Sequence, residues 1–328
     1  MQISELELDI EKSDFSFDPA FRADVLNGLS QAQKAIPARW FYDLEGSRLF
    51  EAITRLAEYY PTRVERGLLD RHAAQVADRL GLAPTIVEFG SGSSIKTRIL
   101  LDAMPGATYV PVEICGEFLA EACAGLSADF PHVEILPVEA NFMNPVSLPS
   151  PRGSGPMLGF FPGSTIGNLQ PRAAVDLLRS MRATLGEGSS LLIGIDRLKD
   201  RQRLLRAYDD ADGITARFNL NLLQRLNREL DGTVPVGAFQ HRARWNDDWG
   251  RVEMHLEATR PVEFEIAGET FALDHGETIH TENCHKYTPA QMRTLLQAGG
   301  WCEECHWVDG DGDFSLILAS SVPDLAGP

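Results

Sequence analysis

The segment Val87–Arg98 constrains the fold most, because an apolar run breaks into a turn with two glycines and then continues in a helical pattern. α/β proteins bind nucleotide-like cofactors where a strand passes through such a turn into a helix. Gly90 and Gly92 allow a tight turn and close approach to a ligand, but Ile95 stands where the dinucleotide motif has its third glycine. The pattern therefore disfavours a dinucleotide. The alternative is a helix-starting turn that binds no ligand.

An acidic residue after the next apolar run indicates the class of cofactor. Glu113 lies 23 residues after Gly90, at the end of Tyr109–Val112. A carboxylate there can accept hydrogen bonds from both ribose hydroxyls. A nucleoside without a pyrophosphate fits this arrangement, and S-adenosylmethionine is the common candidate. Lys96, expected in the first turn of the helix, would then face the carboxylate of that cofactor.

Short β-rich runs alternate with helical patterns from residue 85 onward, which predicts a doubly wound parallel sheet. The predicted strands are Thr85–Phe89, Thr108–Ile114, Val133–Val138, Met157–Phe161 and Ser190–Ile195. The helical patterns between them include Lys96–Ala103 and Arg172–Leu185. A hairpin pattern at about 301–320 adds antiparallel strands at one edge. This combination is typical of the class I, Rossmann-like methyltransferase fold.

The alternation stops between residues 200 and 282. Arg201–Leu230 is predicted to be helical, while Arg251–Ala258 and Val262–Ile266 alternate like half-buried antiparallel strands. We therefore predict a second, α+β lobe, which the helical pattern of the first 60 residues joins. The predicted methyltransferase domain comprises 64–199 and 287–328, and the predicted substrate-binding domain comprises 1–63 and 200–286.

Charge and composition exclude several classes of partner. Lys and Arg total 30 against 47 Asp and Glu, so the formal charge is −17, which argues against binding to nucleic acid. Met1–Glu7 lacks the pattern of a signal peptide, and no run is long enough to span a bilayer. An odd set of five cysteines suits a reducing compartment. We expect a cytoplasmic protein without membrane contact.

Two patterns that suggest a metal or haem are assigned to other roles. Cys302–His306 matches the haem-attachment pattern and contains Cys-x-x-Cys, yet it lies in the predicted hairpin and no second Cys/His pair completes a zinc set. His280 and His285 flank Glu282, but no further ligands converge on them in the sequence. We expect no metal site.

Several motifs outside the glycine turn occur in a fixed order along nearly the whole chain. They are Phe41-Tyr42-Asp43, Phe50-Glu51-Ala52-Ile53-Thr54, Glu58-Tyr59-Tyr60-Pro61-Thr62-Arg63, Phe161-Pro162-Gly163-Ser164-Thr165-Ile166-Gly167-Asn168, Ala207-Tyr208-Asp209-Asp210, Thr281-Glu282 and Lys286-Tyr287. Their order and spacing resemble the histidine Nα-methyltransferases of ergothioneine biosynthesis. This resemblance implies S-adenosylmethionine as cofactor and a free amino acid as acceptor.

The resemblance also implies roles for residues at the acceptor site. Tyr59 and Asn168 match residues that contact the amino group and carboxylate of the acceptor, and Tyr208 matches a tyrosine that binds the carboxylate. Glu282 matches the glutamate that binds the imidazole of histidine, whereas Cys284 replaces a serine that shares this role. Tyr42 matches a tyrosine that lies near the transferred methyl group. Met254 matches a residue that lines the acceptor pocket.

On the cofactor side, Gly90, Lys96 and Phe142 match the family, and two positions depart from it. Glu113 replaces the ribose-binding aspartate and keeps a carboxylate. Asn141 replaces the adenine-contacting aspartate, which keeps an acceptor oxygen but loses a charge, at a cost of about 1 kcal/mol. Neither departure changes the expected cofactor.

The expected activity is trimethylation of the α-amino group of L-histidine to its betaine, hercynine, by a monomeric enzyme. Tyr42, Tyr59 and Asn168 are the candidate catalytic residues, because methyl transfer requires mainly alignment of the amine with the methyl group. Two alternatives remain open. Since a thiol is a poorer hydrogen-bonding group than a hydroxyl, Cys284 leaves room for another acceptor, such as tryptophan or another aromatic or imidazole amino acid. A non-catalytic S-adenosylmethionine-binding protein is the second.

Overall fold

The computed structural model describes residues 18–92, 94–149 and 155–323. Met1–Glu7 and the outer ends of the predicted domain ranges 1–63 and 287–328 lie outside the described residues. The described helices are α1 (Pro19–Leu29), α2 (Leu44–Ile53), α3 (Tyr60–Leu80), α4 (Thr97–Ala103), α5 (Gly116–Asp129), α6 (Pro171–Leu185), α7 (Arg201–Tyr208), α8 (Ile214–Glu229) and α9 (Pro289–Ala298). None of them is both long and apolar enough to cross a membrane.

The strands belong to one large sheet, one smaller sheet and a separate hairpin. They are β1 (Lys34–Ala35), β2 (Thr85–Phe89), β3 (Thr108–Glu113), β4 (Glu134–Ile135), β5 (Val138–Glu139), β6 (Met157–Phe161), β7 (Ser190–Asp196), β8 (Phe239–Asn246), β9 (Arg251–Ala258), β10 (Val262–Ile266), β11 (Glu269–Leu273), β12 (Thr278–His285), β13 (Trp301–Val308) and β14 (Phe314–Ser321).

The large sheet has the order β13-β14-β7-β6-β2-β3-β4, with β5 also paired to β3. Strands β2, β3, β4, β5, β6 and β7 pair in parallel, whereas β14 runs antiparallel to both neighbours. The central strand β2 is buried along its whole length, because apolar clusters cover both faces of the sheet. The predicted class I methyltransferase fold and its C-terminal hairpin are confirmed.

The smaller sheet has the order β1-β12-β9-β8, and β10 and β11 form a separate hairpin. One face of β9 carries Val252, Met254 and Leu256, which enter a core shared with helices α1, α2, α7 and α8. Within the described part of the chain, the buried members of this core come from residues 21–60 and 204–284. Side chains from before the glycine turn thus pack against side chains from the segment 204–284.

Two predicted elements are interrupted, and a third begins later than predicted. Val133–Val138 forms two short strands, β4 and β5, because Pro137 between them has no N–H for the ladder. Arg201–Leu230 is not one helix: α7 ends at Tyr208, and the Asp210 carboxylate then accepts hydrogen bonds from two backbone N–H groups at the start of α8. Lys96 is the N-cap residue of α4 and does not lie in its first turn.

A β-bulge interrupts the pairing of β12 with β9. His280 pairs with His255 and Glu282 pairs with Met254, so Thr281 is an extra residue. Its hydroxyl donates to the Asn219 side-chain oxygen over 2.8 Å. After the bulge, Glu282 and Cys284 lie opposite residues of the apolar face.

Candidate active site

A cavity of about 660 Å³ lies between the carboxyl ends of β2, β3 and β6 and the apolar face of the smaller sheet. In parallel α/β sheets this edge is where ligands bind. All the residues predicted for the cofactor and acceptor sites line this cavity, namely Tyr42, Tyr59, Gly90, Lys96, Glu113, Asn141, Phe142, Asn168, Tyr208, Met254, Glu282 and Cys284.

The glycine turn has the backbone conformation that its residues permit. Gly90 has φ +76° and Gly92 has φ +50°, both in the left-handed region. A Cβ atom on Gly90 would lie 3.4 Å from the Phe142 ring, whereas one on Gly92 would face open space. The glycine at position 90 thus lets the turn pass close to the Phe142 ring, and both border the cavity.

Glu113 ends β3 and directs its carboxylate toward the glycine turn. Gly92 N–H donates to Oε2 over 3.1 Å, and Ile114 N–H donates to Oε1 over 2.8 Å. Burial raises the pKa of Glu113, although these backbone hydrogen bonds oppose the shift. Each carboxylate oxygen keeps a further lone pair, so two ribose hydroxyls still find acceptors. At Asn141 the side-chain oxygen accepts from Met143 N–H over 3.1 Å.

Lys96 is held by a carboxylate that the sequence patterns did not single out. Its ammonium forms an ion pair with Glu65, whose side chain is fully buried. Glu65 also accepts the N–H of Gly163 over 2.9 and 3.0 Å. The pair connects α3 with the glycine turn and with the loop after β6. These groups fit S-adenosylmethionine, with a cation at the amino-acid end and a carboxylate at the ribose.

At the other end of the cavity, Asn168 donates a hydrogen bond from its side-chain amide to Glu282 Oε1 over 3.0 Å. Burial raises the pKa of Glu282 to about 8, even though the Lys286 cation lowers it. The carboxyl is therefore protonated over most of the neutral range. Met254, opposite Glu282 in the ladder, is 2% exposed and places its apolar side chain beside it.

Tyr208 and Cys284 form a hydrogen bond of 2.6 Å between the phenol oxygen and the sulfur. Lys286 donates to both, over 2.9 Å to the phenol oxygen and 3.0 Å to the sulfur. Burial raises the pKa of Cys284 despite the neighbouring Lys286 cation, so the thiol is neutral. The sequence motif contained Lys286 without a role. Its buried partner Asp196, 2.8 Å away, also belongs to the family motifs and was likewise given no role.

Aromatic rings form the wall beside the acceptor end. Tyr59 meets Tyr208 edge-on with ring centroids 6.2 Å apart, and Phe50 bridges Tyr42 and Tyr59 at 5.8 and 6.2 Å. Burial raises the pKa of Tyr42 and of Tyr59 above their usual value, so both phenols keep their protons at neutral pH. Phe50 was not predicted as a site residue, because in the sequence it reads as an apolar helix position.

Two groups of side chains outside the acceptor end have the composition of metal ligands. Glu253, His255 and His280 have ligand atoms within 4.8 Å of one another, as do the carboxylates of Asp309, Asp311 and Asp313. The His255 and His280 rings are stacked 4.8 Å apart at 18°, so their in-plane lone pairs run nearly parallel. Cys302 and Cys305 lie on β13, as predicted.

Comparison with known proteins identifies the family. The sequence profile described as "Histidine-specific methyltransferase, SAM-dependent" matches residues 21–321. The chain belongs to this family. As a histidine-specific methyltransferase family member, it is an enzyme whose cofactor is S-adenosylmethionine.

Relatives of this histidine-specific methyltransferase span nearly the whole chain. A histidine Nα-methyltransferase of Mycolicibacterium smegmatis is 42% identical, covering 92% of this chain and 94% of its own length. One from Mycobacterium tuberculosis is 42% identical over 92% and 95% of the two chains. An L-tryptophan methyltransferase of Psilocybe serbica is 24% identical over 96% and 97%.

Proposed function

We propose that this enzyme transfers methyl groups from S-adenosylmethionine to the α-amino group of L-histidine, in three steps that yield hercynine, the first step of ergothioneine biosynthesis. The observation that carries the proposal is the buried carboxyl of Glu282 at the end of the cavity opposite the glycine turn. Asn168 occupies only Oε1 of this carboxyl, so an aromatic acceptor without ring nitrogens would leave Oε2 without a partner, at a cost of about 1–3 kcal/mol.

The protonation state of Glu282 suits a neutral imidazole. With a pKa of about 8, the carboxyl carries a proton at pH 7 and can donate it in a hydrogen bond to the ring nitrogen that lacks one. Its carbonyl oxygen already accepts from Asn168. If the proton moves to the ring, a carboxylate–imidazolium pair results, and the total charge of the site is unchanged. Either form favours histidine over an indole.

The reaction itself requires mainly alignment. Methyl transfer from a sulfonium is an in-line displacement, in which the amine nitrogen bonds to the methyl carbon as the S–CH3 bond breaks. We assign the carboxylate of the acceptor to Asn168 and Tyr208, and the nitrogen to Tyr59 and Asn168. Tyr42, with its pKa raised by burial, keeps its proton, so its oxygen accepts a hydrogen bond from the amine without acting as a base.

The rings around the acceptor suit a product that becomes a quaternary ammonium. Each transfer starts from the neutral amine, which gains a methyl group and a positive charge. A proton then leaves to water before the next transfer, and the final trimethylammonium has no N–H donor. The faces of Tyr42 and Tyr59 and the neighbouring Phe50 offer cation–π attraction that needs no hydrogen bond. This wall therefore supports successive methylation at one site.

An aromatic amino acid such as L-tryptophan is the second candidate. It is favoured by Cys284, which removes a hydroxyl that the resemblance places beside the imidazole, and by the likeness to a fungal L-tryptophan methyltransferase. Mass spectrometry of turnover products across the twenty amino acids decides between the two. Trimethylated histidine as the main product supports the first proposal, and methylated tryptophan with unmodified histidine refutes it.

We further propose the division into a methyltransferase domain, 64–199 and 287–328, and a substrate-binding domain, 1–63 and 200–286, because the apolar clusters follow it within the described residues. A monomer in the cytoplasm is the proposed state. The five free cysteines support a reducing compartment. Light scattering of the purified protein measures its mass in solution, and a monomer predicts the mass of one chain, 36.2 kDa.

A further inference from the structure

A buried chain of charges extends from the acceptor end of the cavity into the interface between the two sheets. Lys286 is fully buried and forms an ion pair of 2.8 Å with Asp196, at the carboxyl end of β7. Asp196 also accepts from the Tyr60 hydroxyl and from Lys199. Burial lowers the pKa of Lys286, but the charge of Asp196 outweighs this and the pKa lies well above its usual value. Lys286 is therefore a cation.

The three protons of this ammonium have three acceptors. They are Asp196 Oδ2 at 2.8 Å, the Tyr208 oxygen at 2.9 Å and Cys284 Sγ at 3.0 Å. Because an ammonium only donates, both the phenol oxygen and the sulfur act as acceptors toward Lys286. The phenol and thiol protons must then point elsewhere.

The short contact between Tyr208 and Cys284 restricts those protons further. The two atoms lie 2.6 Å apart, so one proton occupies the line between them. If the thiol donates, the phenol oxygen accepts from both Cys284 and Lys286, and its own O–H turns away from both. Both side chains line the cavity, so that direction is open to an acceptor's carboxylate.

We propose that Lys286 is a positioning residue of the acceptor site: with Cys284 it saturates the Tyr208 oxygen, so that the phenol donates to the acceptor's α-carboxylate. This inference rests on the proposed amino-acid methylation and adds to it the group that orients Tyr208. The fixed positive charge 2.9 Å behind the phenol also favours an anionic carboxylate in front of it.

A second lysine on the same carboxylate provides a matched control. Lys199 pairs with Asp196 as Lys286 does, and within the described part of the chain it contacts Tyr60 and the Asp313 carbonyl but neither Tyr208 nor Cys284. Lys286→Met and Lys199→Met each remove one cation from Asp196. In each variant, Asp196 keeps its ion pair with the other lysine and its hydrogen bond of 2.7 Å from the Tyr60 hydroxyl. Asp196→Asn/Lys286→Met serves if Lys286→Met fails to fold.

The test is isothermal titration of L-histidine and of L-histidinamide, which lacks the carboxylate charge, into each variant saturated with S-adenosylhomocysteine. We expect Lys286→Met to weaken the binding of histidine at least about tenfold, as for the loss of a charge-assisted hydrogen bond. The binding of histidinamide should weaken less than about threefold. The histidine affinity of Lys199→Met should stay within about threefold of that of the parent. Affinity for S-adenosylhomocysteine should stay within about twofold in all variants.

Three results would overturn the inference: equal losses in the two lysine variants, equal losses for histidine and its amide, or a folded Lys286 variant with parental histidine affinity. Turnover of histidine by the parent, measured in a separate assay with S-adenosylmethionine, leaves the proposed function standing in each case. If the parent methylates another amino acid, the proposed substrate is wrong, and Lys286 is judged on that amino acid and its amide. A parent that methylates no amino acid overturns both.

Discussion

The side-chain amide of Asn168 donates to Glu282 Oε1 over 3.0 Å, a bond between residues 114 positions apart. Asn168 ends a 3₁₀ turn after β6 of the large sheet, and Glu282 lies on β12 of the smaller one. Each contributes a group proposed to bind a different end of the acceptor. The bond therefore links recognition of the side chain to alignment of the amine.

Replacing Glu282 tests its role toward the imidazole. We expect Glu282→Ala to raise the KM for L-histidine at least about tenfold, since a buried ring nitrogen left without its partner costs about 1–3 kcal/mol. The KM for S-adenosylmethionine should change less than about twofold. Glu282→Gln, which keeps a donor and an acceptor, should lose less. Steady-state kinetics with each substrate varied would contradict the role if both KM values rose equally.

The raised pKa of Glu282 predicts a pH-dependent gain in stability when the carboxyl is removed. Between its ordinary pKa of 4.5 and the folded value of about 8, the folded protein keeps a proton that the unfolded chain has released. The free energy of unfolding therefore falls as pH rises through this window. We expect the Tm of Glu282→Gln to exceed that of the parent by about 2 °C or more at pH 8, and by less at pH 5.

Scanning calorimetry at the two pH values measures this difference. Glu263→Gln, on an exposed position of β10, controls for the loss of one carboxylate from the surface. A difference in Tm between Glu282→Gln and the parent that is the same at both pH values would contradict the buried, protonated carboxyl.

Cys284→Ser tests whether the thiol marks a different acceptor. A hydroxyl donates and accepts better than a thiol and can occupy the same corner between Tyr208 and Lys286. Histidine affinity should therefore stay within about threefold or improve. Calorimetric titration measures it, with Cys123→Ser on α5 as the control. A loss of tenfold or more would indicate that the sulfur serves another acceptor.

Gly90→Ala tests the glycine turn. Alanine at φ +76° costs about 1–2 kcal/mol, and its Cβ would lie 3.4 Å from Phe142. We expect lower stability and at least about tenfold weaker binding of S-adenosylhomocysteine. Gly213→Ala, before α8, has a similar φ of +68° in the left-handed region with nothing near its Cβ. It should lose comparable stability and keep cofactor affinity, and an equal loss of affinity in both would contradict the role of the turn.

The sequence predicted those features that depend on local pattern. Apolar runs and glycines located β2, β3 and the turn between β2 and α4, because a buried strand and a left-handed turn each need particular residues. The alternation of β-rich runs with helical patterns predicted the large parallel sheet. The family resemblance, and not the pattern, selected Tyr59 and Glu282 among many tyrosines and glutamates.

Buried charges could not be predicted in the same way. Glu65 was not singled out in the sequence and Asp196 was given no role, since only tertiary packing brings Lys96 and Lys286 to them. The break after Tyr208 was missed for a related reason: Asp210 and Gly213 form a cap whose meaning depends on the direction of the next helix. The positions of these groups depend on contacts between distant segments.

The bulge at Thr281 determines on which face of β12 each later residue lies. Residues of a strand alternate between its two faces. The extra residue therefore moves every later residue of β12 to the face opposite the one that regular alternation from His280 would give it. With Thr281 present, Glu282 and Cys284 point inward and Asn283 points outward. If the strand ran through Thr281 without the bulge, Glu282 and Cys284 would instead lie on the face of His280, and Asn283 on the face of Met254. The bulge, and not the side chains alone, thus determines that a carboxyl and a thiol share the face of Met254.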